Sequence, residues 1–416
     1  MVVGIRSKRG VNPVSLLLRI RDRLPLLVIL GGAGGVFVAN VAAKRLYAPA
    51  DFASWAYLST LTTLFFSFSL FGTEQLIIRS ARERDGMFEL PKRTTALILG
   101  ACVVFALAYV TLLDGRLFTY RLGFLAIPTL GCIAAIQVVH QVERTRGRLL
   151  ASQLVLNGWK LLMLPLVTAS VIFERHPAEF AVVGALAVGL IVSATVLYGA
   201  RHSVRVAPVA TDVGSVAVPF VLSLGLMALL NTVDRFTLEK IHSPTVFAEY
   251  VYAVTILSTP FTILSSYFGF KEAVRYRKQY SRNGVRKDAL RTVAISALQV
   301  IAWSVACYLT RQLSGLTFDL SLWILLGILS AVRCGYGILS AAMGIRGTAS
   351  AIYWSNSITA ISLAAFGFTA ILLRVPVIAV VAGYVLVWVL RFVAYFVFLT
   401  ESADVMRSAN AEGEAA

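Results

Sequence analysis

Residues 229–240 read LLNTVDRFTLEK, and they follow an uncharged apolar run from Val213 to Leu230. Asn231, Asp234 and Arg235 thus arrive together at the end of a segment long enough to cross a bilayer as helix. The same stretch has an earlier counterpart. NVAAKRLYAPADFASWAY, from Asn40, aligns with NTVDRFTLEKIHSPTVFAEYVY, from Asn231, placing Lys44 opposite Arg235 and FASWAY (52–57) opposite FAEYVY (247–252). Phe71-Gly72 matches Phe268-Gly269. RTRGRLLASQLVLNGWK (144–160) resembles GIRGTASAIYWSNSITA (344–360).

The whole chain shares this character. Globular proteins are about 45–50% apolar and about 25% charged; this one is 58% and 14%, with mean hydropathy +0.79. Twelve apolar segments recur, at 24–43, 53–78, 94–113, 122–141, 149–173, 179–200, 214–234, 246–270, 289–310, 320–343, 350–373 and 376–399. They are too long and too continuously apolar for strands of a membrane barrel. The expected fold is an all-α polytopic membrane protein. The repeat places spans 1, 2, 4 and 5 against 7, 8, 10 and 11. It predicts two six-helix lobes related by a pseudo-two-fold axis along the membrane normal, with a cavity between them. The expected divisions are a basic cytoplasmic N-terminus (1–23), a first lobe (24–205), a second lobe (206–400) and a cytoplasmic tail (401–416).

Charge sets the orientation. With the N-terminus inside, 26 of the 38 Lys and Arg face the cytoplasm, nine face outside and three lie within spans. Both termini are therefore expected to be cytoplasmic. The net charge of +17 then reflects topology and attraction to anionic headgroups, so the basic loop KEAVRYRKQYSRNGVRK (271–287) is not read as a nucleic-acid site. Cys102, Cys132, Cys307 and Cys334 lie inside spans without CxxC spacing and read as small buried hydrophobes. No metal or cofactor motif is present in the sequence. Gly31, Gly32, Gly34 and Gly35 imply close helix packing or a hinge in span 1.

The three cations within spans carry the functional reading. Lys160 lies roughly 16 Å into its span and Arg333 roughly 20 Å, and Arg391 nearer the cytoplasmic third. None has an acid within a helical turn on its own helix. Such groups surround an anion, or they are structural cations bonded to carbonyls. Trp159 and Tyr336 accompany them, and Asn157 and Asn356 stand at near-equivalent points of the two lobes as polar cavity lining. Asp234 and Arg235, about 100° apart on a helix, are expected near the outer face with separate partners, Lys44 or Arg45 for the acid. They would form a gate between the lobes or a fixed clasp. Glu249 and Asp234 are the candidate proton carriers.

The cadence of Asn40, Lys44 and Arg45, then FASWAYLS and FGTEQLIIRSAR (71–82), resembles the start of a Wzx-type polysaccharide flippase. LNTVDRFTLEKIHSPTVFAEYVYA (230–253), with Asp234, Arg235 and Tyr250, is similar to that family's seventh and eighth helices. The resemblance extends to the superfamily shared with multidrug extruders and lipid II flippases. It implies a MATE-like carrier moving undecaprenyl-diphosphate-linked sugar from the cytoplasmic to the periplasmic leaflet of a bacterial inner membrane. The implied partners are that anionic lipid-linked sugar, membrane lipids, and polymerase and export proteins of the same pathway. The competing readings are a drug or small-cation extruder, a membrane glycosyltransferase or polymerase, and a non-transporting scaffold. Acids at the cavity's heart would favour the extruder; a sizeable catalytic loop would favour the enzyme.

Overall fold

The computed structural model describes residues 13–68, 82–84, 87–93, 95–100, 103, 123–173, 177–201, 204–207, 223, 225–278, 280–317 and 319–399. Span 3, the start of span 7, Cys102 and Pro219 therefore fall wholly or largely outside the described residues. The first half of the chain contains α1 (Pro13–Leu46), α2 (Pro49–Phe68), α3 (Gly123–Thr145), α4 (Leu149–Asn157), a 3-10 turn (Gly158–Leu162), α5 (Met163–Phe173) and α6 (Pro177–Ala200). The second half contains α7 (Val233–Ile241), α8 (Pro244–Lys278), α9 (Arg282–Leu309), the short α10 (Arg311–Ser314), α11 (Leu320–Arg346), α12 (Ala349–Leu373) and α13 (Val377–Phe398).

Among the described residues, seven helices are long and apolar enough to cross a membrane: Leu27–Leu46, Leu149–Ile172, Pro177–Ala200, Arg282–Leu309, Leu320–Met343, Ser350–Leu373 and Val377–Phe398. Helices α2, α3 and α8 match them in length, at 20, 23 and 35 residues. Large apolar side chains such as Ile191, Leu298, Ile301, Ile361 and Phe368 stand exposed on their outer faces, as lipid contact permits and water does not. The protein is a multi-pass helical membrane protein.

Helix ends follow local chemistry. Ser281, Asp319 and Thr348 cap α9, α11 and α12, each side chain accepting backbone N–H groups of the first turn. Arg374 takes a left-handed φ of 46° where α12 ends. In the second half α11 packs on α8, α9 and α13; in the first, α1 crosses α4 and α5 while α3 and α6 close around them. The halves meet where α1 and α2 lie against α8. That contact buries Phe52, Trp55, Tyr57, Phe247, Tyr250 and Tyr252.

Three features depart from uninterrupted spans joined by plain loops. A small sheet joins β1 (Arg82–Arg84) antiparallel to β2 (Met87–Pro91), and β2 parallel to β3 (Val204–Ala207). Phe88 packs against Ile98 and Val142, and Glu89 pairs with Arg205, so the connection after α2 is tied to the one after α6. Span 5 is interrupted by its 3-10 turn, and span 7 by a turn at Asn231-Thr232. The basic loop is occupied from within. Arg275 pairs with Glu272 and Asp288, while Arg286 and Arg282 donate to the carbonyls of Phe396 and Val397 at the negative end of α13.

Candidate functional site

Two polar clusters and one clasp between the halves account for most of the candidate residues. The first cluster forms where α1 crosses the break in span 5. A Cβ on Gly32 would stand 2.8 Å from the Asn157 carbonyl oxygen, and one on Gly35 2.5 Å from that of Lys160. Only glycine lets the backbones approach so closely, so Gly32 and Gly35 are packing positions. The break leaves the Lys160 ammonium folded back on its own segment, donating to Asn157 Oδ1 at 2.8 Å, while Asn157 Nδ2 donates to Gln153 Oε1 at 2.8 Å. Lys160 keeps partial exposure; Asn157 is buried. The Lys160 ammonium also lies 5.7 Å from the Trp159 ring centroid, and no ion pair among the described residues includes it. Trp159 is buried, stacked on Phe66 at 5.4 Å, with its indole N–H given to the Leu156 carbonyl.

The second cluster forms at the break in span 7. Residues 225–230 are helical, Asn231 and Thr232 turn, and the helix resumes at Val233. Side chains compete for the freed backbone groups there. The Leu230 carbonyl accepts from the Tyr384 hydroxyl at 2.6 Å, and the Thr232 hydroxyl donates to Ala228 at 3.0 Å. Arg333, from α11, donates to Asn231 Oδ1 at 2.8 Å and lies 4.9 Å from the Trp388 ring centroid. It repeats the Lys160 arrangement, a cation at membrane depth held by an asparagine oxygen.

Asp234 is placed differently from expectation. It is buried, 2% exposed, and its partner is neither Lys44 nor Arg45: it accepts from the Tyr250 hydroxyl at 2.6 Å. Asp234 stands in the first turn of α7, after the turn at Asn231-Thr232, and the packing of α7 on α8 brings it to Tyr250. Its Oδ1 and the neighbouring Arg235 Nε have no hydrogen-bond partner among the described residues. Arg333 and Arg235 are the cations that act on its charge.

Arg391 is fully enclosed, with Nε donating to the Tyr336 hydroxyl at 3.0 Å and Nη2 to the Tyr395 hydroxyl at 3.1 Å. Tyr336 is buried beside it and donates onward to Met227 Sδ at 3.4 Å. Arg391 Nη1 has no hydrogen-bond partner among the described residues. Asn356, on α12, is buried with its Oδ1 unpartnered among the described residues, and it joins neither cluster in the contacts described.

The clasp lies at the end of the bundle where α1 stops and α8 starts. Lys44 pairs with Glu249 and stands 4.9 Å from the Phe52 ring centroid and 5.9 Å from that of Tyr252. Phe52 and Tyr252 meet edge to face at 5.8 Å, Tyr252 donates to the Ser314 carbonyl at 2.5 Å, and Arg45 donates to the Gln312 carbonyl at 3.0 Å. Behind it, Asn40 Oδ1 accepts from the Trp55 indole at 3.0 Å. Trp55 and Tyr250 occupy matching positions of FASWAY and FAEYVY, and each donates to a polar side chain of the helix preceding its own.

Tyr384, Trp388 and Tyr395 are functional neighbours not singled out from sequence. With Arg391 they fall at spacings of four, three and four residues on α13, one face of a helix, and that stripe was the available signal. Compared with family models, curated proteins and solved structures, the chain finds no match.

Proposed function

We propose that this protein is an alternating-access flippase. On this reading it carries an undecaprenyl-diphosphate-linked oligosaccharide from the cytoplasmic to the periplasmic leaflet of a bacterial inner membrane, for surface polysaccharide assembly. Its twelve spans form two MATE-like lobes. The observation that carries the reading is the pair Lys160–Asn157 and Arg333–Asn231. Each places a cation within a span on a neutral amide; the charge of Lys160, in no ion pair among the described residues, remains available to a diphosphate, while Arg333 also acts on Asp234. The matched donors Trp55 and Tyr250 support a duplicated unit, and the closed clasp is what one end of a rocking pair of lobes requires.

The test is flipping of a lipid-diphosphate-linked oligosaccharide in reconstituted vesicles, comparing wild type with Lys160→Ala and Arg333→Ala. Loss in both correctly folded variants is the expected result, and full activity in both overturns the cationic-pathway reading. A second reading, an extruder of small cations, is favoured by the buried Asp234 with its unpartnered oxygen. Drug efflux abolished by Asp234→Asn, without any lipid flipping by wild type, would decide for it.

A further inference from the structure

An apolar groove of about 310 Å³ opens in the seam between α1, α8 and α9, on the flank of the clasp. Phe37 and Val41 of α1, Ile256 of α8, Trp303 and Cys307 of α9, and Leu316 line it. Trp303 gives its indole N–H to the Ile256 carbonyl at 3.1 Å and meets Phe37 ring to ring at 6.0 Å. Its polar edge is thereby spent, leaving hydrocarbon facing the groove. Such a slot at membrane depth is filled by hydrocarbon chains rather than by water.

The outer end of the groove is charged. Phe37, Val41 and Arg45 follow one another at four-residue intervals along the same face of α1. Exposed Arg45, one turn beyond Val41, donates to the carbonyl of Gln312, the residue before the groove-lining Leu313. Arg311, from α10, lies 4.0 Å over the ring of Tyr308, bonded to the Tyr308 carbonyl. Neither guanidinium takes part in an ion pair among the described residues, whereas Lys44 beside them is already matched to Glu249. From Phe37 to Arg45 the helix rises roughly 12 Å, comparable to the roughly 15 Å of hydrocarbon in one leaflet. A chain-length slot beneath two guanidiniums at interface depth has the shape and charge of a lipid with one anionic head.

We propose that this groove binds a single anionic glycerophospholipid of the bilayer, one acyl chain lying between α1 and α9 and its phosphate held by Arg45 and Arg311. The site is separate from the Lys160 and Arg333 clusters, and its occupancy needs no transport, so it stands or falls independently of the flippase reading.

The test uses the full chain in nanodiscs of mixed phosphatidylglycerol and phosphatidylcholine. Each lipid in turn carries a photoactivatable diazirine on one acyl chain, and adducts are mapped by peptide mass spectrometry. The phosphatidylglycerol probe is expected to label the Trp303–Leu316 region in preference. Arg45→Gln and Arg311→Gln should each lower that preference by about fivefold, the equivalent of about 1 kcal/mol per basic side chain at a membrane surface. Ala306→Trp, filling the groove from its lipid-facing side, should remove the adducts there and leave labelling elsewhere unchanged. Equal labelling by both lipids, or adducts indifferent to both Arg45→Gln and Ala306→Trp, overturns the proposal. So does full displacement of the probe by a prenyl-diphosphate lipid at trace concentration, which would assign the slot to the tail of a carried lipid.

Discussion

Lys44 and Glu249 form an ion pair between the end of α1 and the start of α8, joining two residues 205 positions apart in sequence. Both side chains are partly exposed, at 20% and 31%. A pair of this exposure contributes at most about 1 kcal/mol, enough to bias two conformations about fivefold without locking either. Spin labels at the exposed Leu46 and Gln312 should gain a longer-distance population in Lys44→Ala and in Glu249→Ala. The charge exchange Lys44→Glu with Glu249→Lys should restore the short distance. An unchanged distribution in both single variants would make the clasp a fixed feature of the bundle.

Gly34 and Gly35 are neighbours with opposite expectations. A Cβ at Gly34 meets nothing within 4 Å, while one at Gly35 strikes the Lys160 carbonyl. Gly35→Ala should cost about 1–3 kcal/mol through overpacking. Gly34→Ala should be neutral, or slightly stabilising through helix propensity of up to about 1 kcal/mol. Thermal melting of the two variants in detergent checks the contrast.

Arg391 and Arg333 should separate by phenotype. A lysine at 391 carries the charge but not the planar fork that reaches Tyr336 and Tyr395 together, so Arg391→Lys should lower stability by about 1–3 kcal/mol. Arg333, partly exposed, should tolerate Arg333→Gln in melting experiments while losing transport. Unchanged transport in a stable Arg333→Gln protein would return this cation to a structural duty.

Tyr47 sits buried in the turn between α1 and α2, its hydroxyl 2.8 Å from Ser170 Oγ and 3.2 Å from the Pro177 carbonyl. Burial pushes its pKa up to about 12, from an ordinary value of about 10. The fold accommodates the neutral phenol, so this contribution is intact below about pH 10 and is lost as pH rises toward 12. Between those limits the melting temperature of wild type should fall more steeply than that of Tyr47→Phe. Parallel slopes would exclude Tyr47 as a source of alkaline sensitivity.

Much of this architecture was legible in the sequence because hydrocarbon imposes one rule everywhere, that backbone polar groups must be satisfied within the segment. Long apolar runs could therefore be read as helices one by one. The FASWAY and FAEYVY stretches, read from sequence only as a repeat, lie on α2 and α8, the helices through which the halves meet. The partner of Asp234 was not legible. It lies 16 positions onward, on the next helix, and only the packing of α7 on α8 brings the two together. Nor does spacing alone distinguish Arg391, enclosed by tyrosines, from Arg333, which retains exposure. The short sheet was passed over although Asp85-Gly86, a two-residue hairpin signal, stands in sequence between its first two strands.

The five residues Gly158–Leu162 wind three to the turn instead of 3.6 and rise about 2.0 Å each instead of about 1.5 Å. Across them the helix gains about 2.5 Å in length and about 100° in phase, so a helical wheel drawn through the whole of span 5 assigns its far end to the wrong side. The same arithmetic works in reverse. Rewinding this segment into α-helix would shorten the span and turn α5 by a quarter revolution relative to α4. Lys160 sits at the centre of the segment, so that conversion is a screw motion that would carry its ammonium around the helix axis.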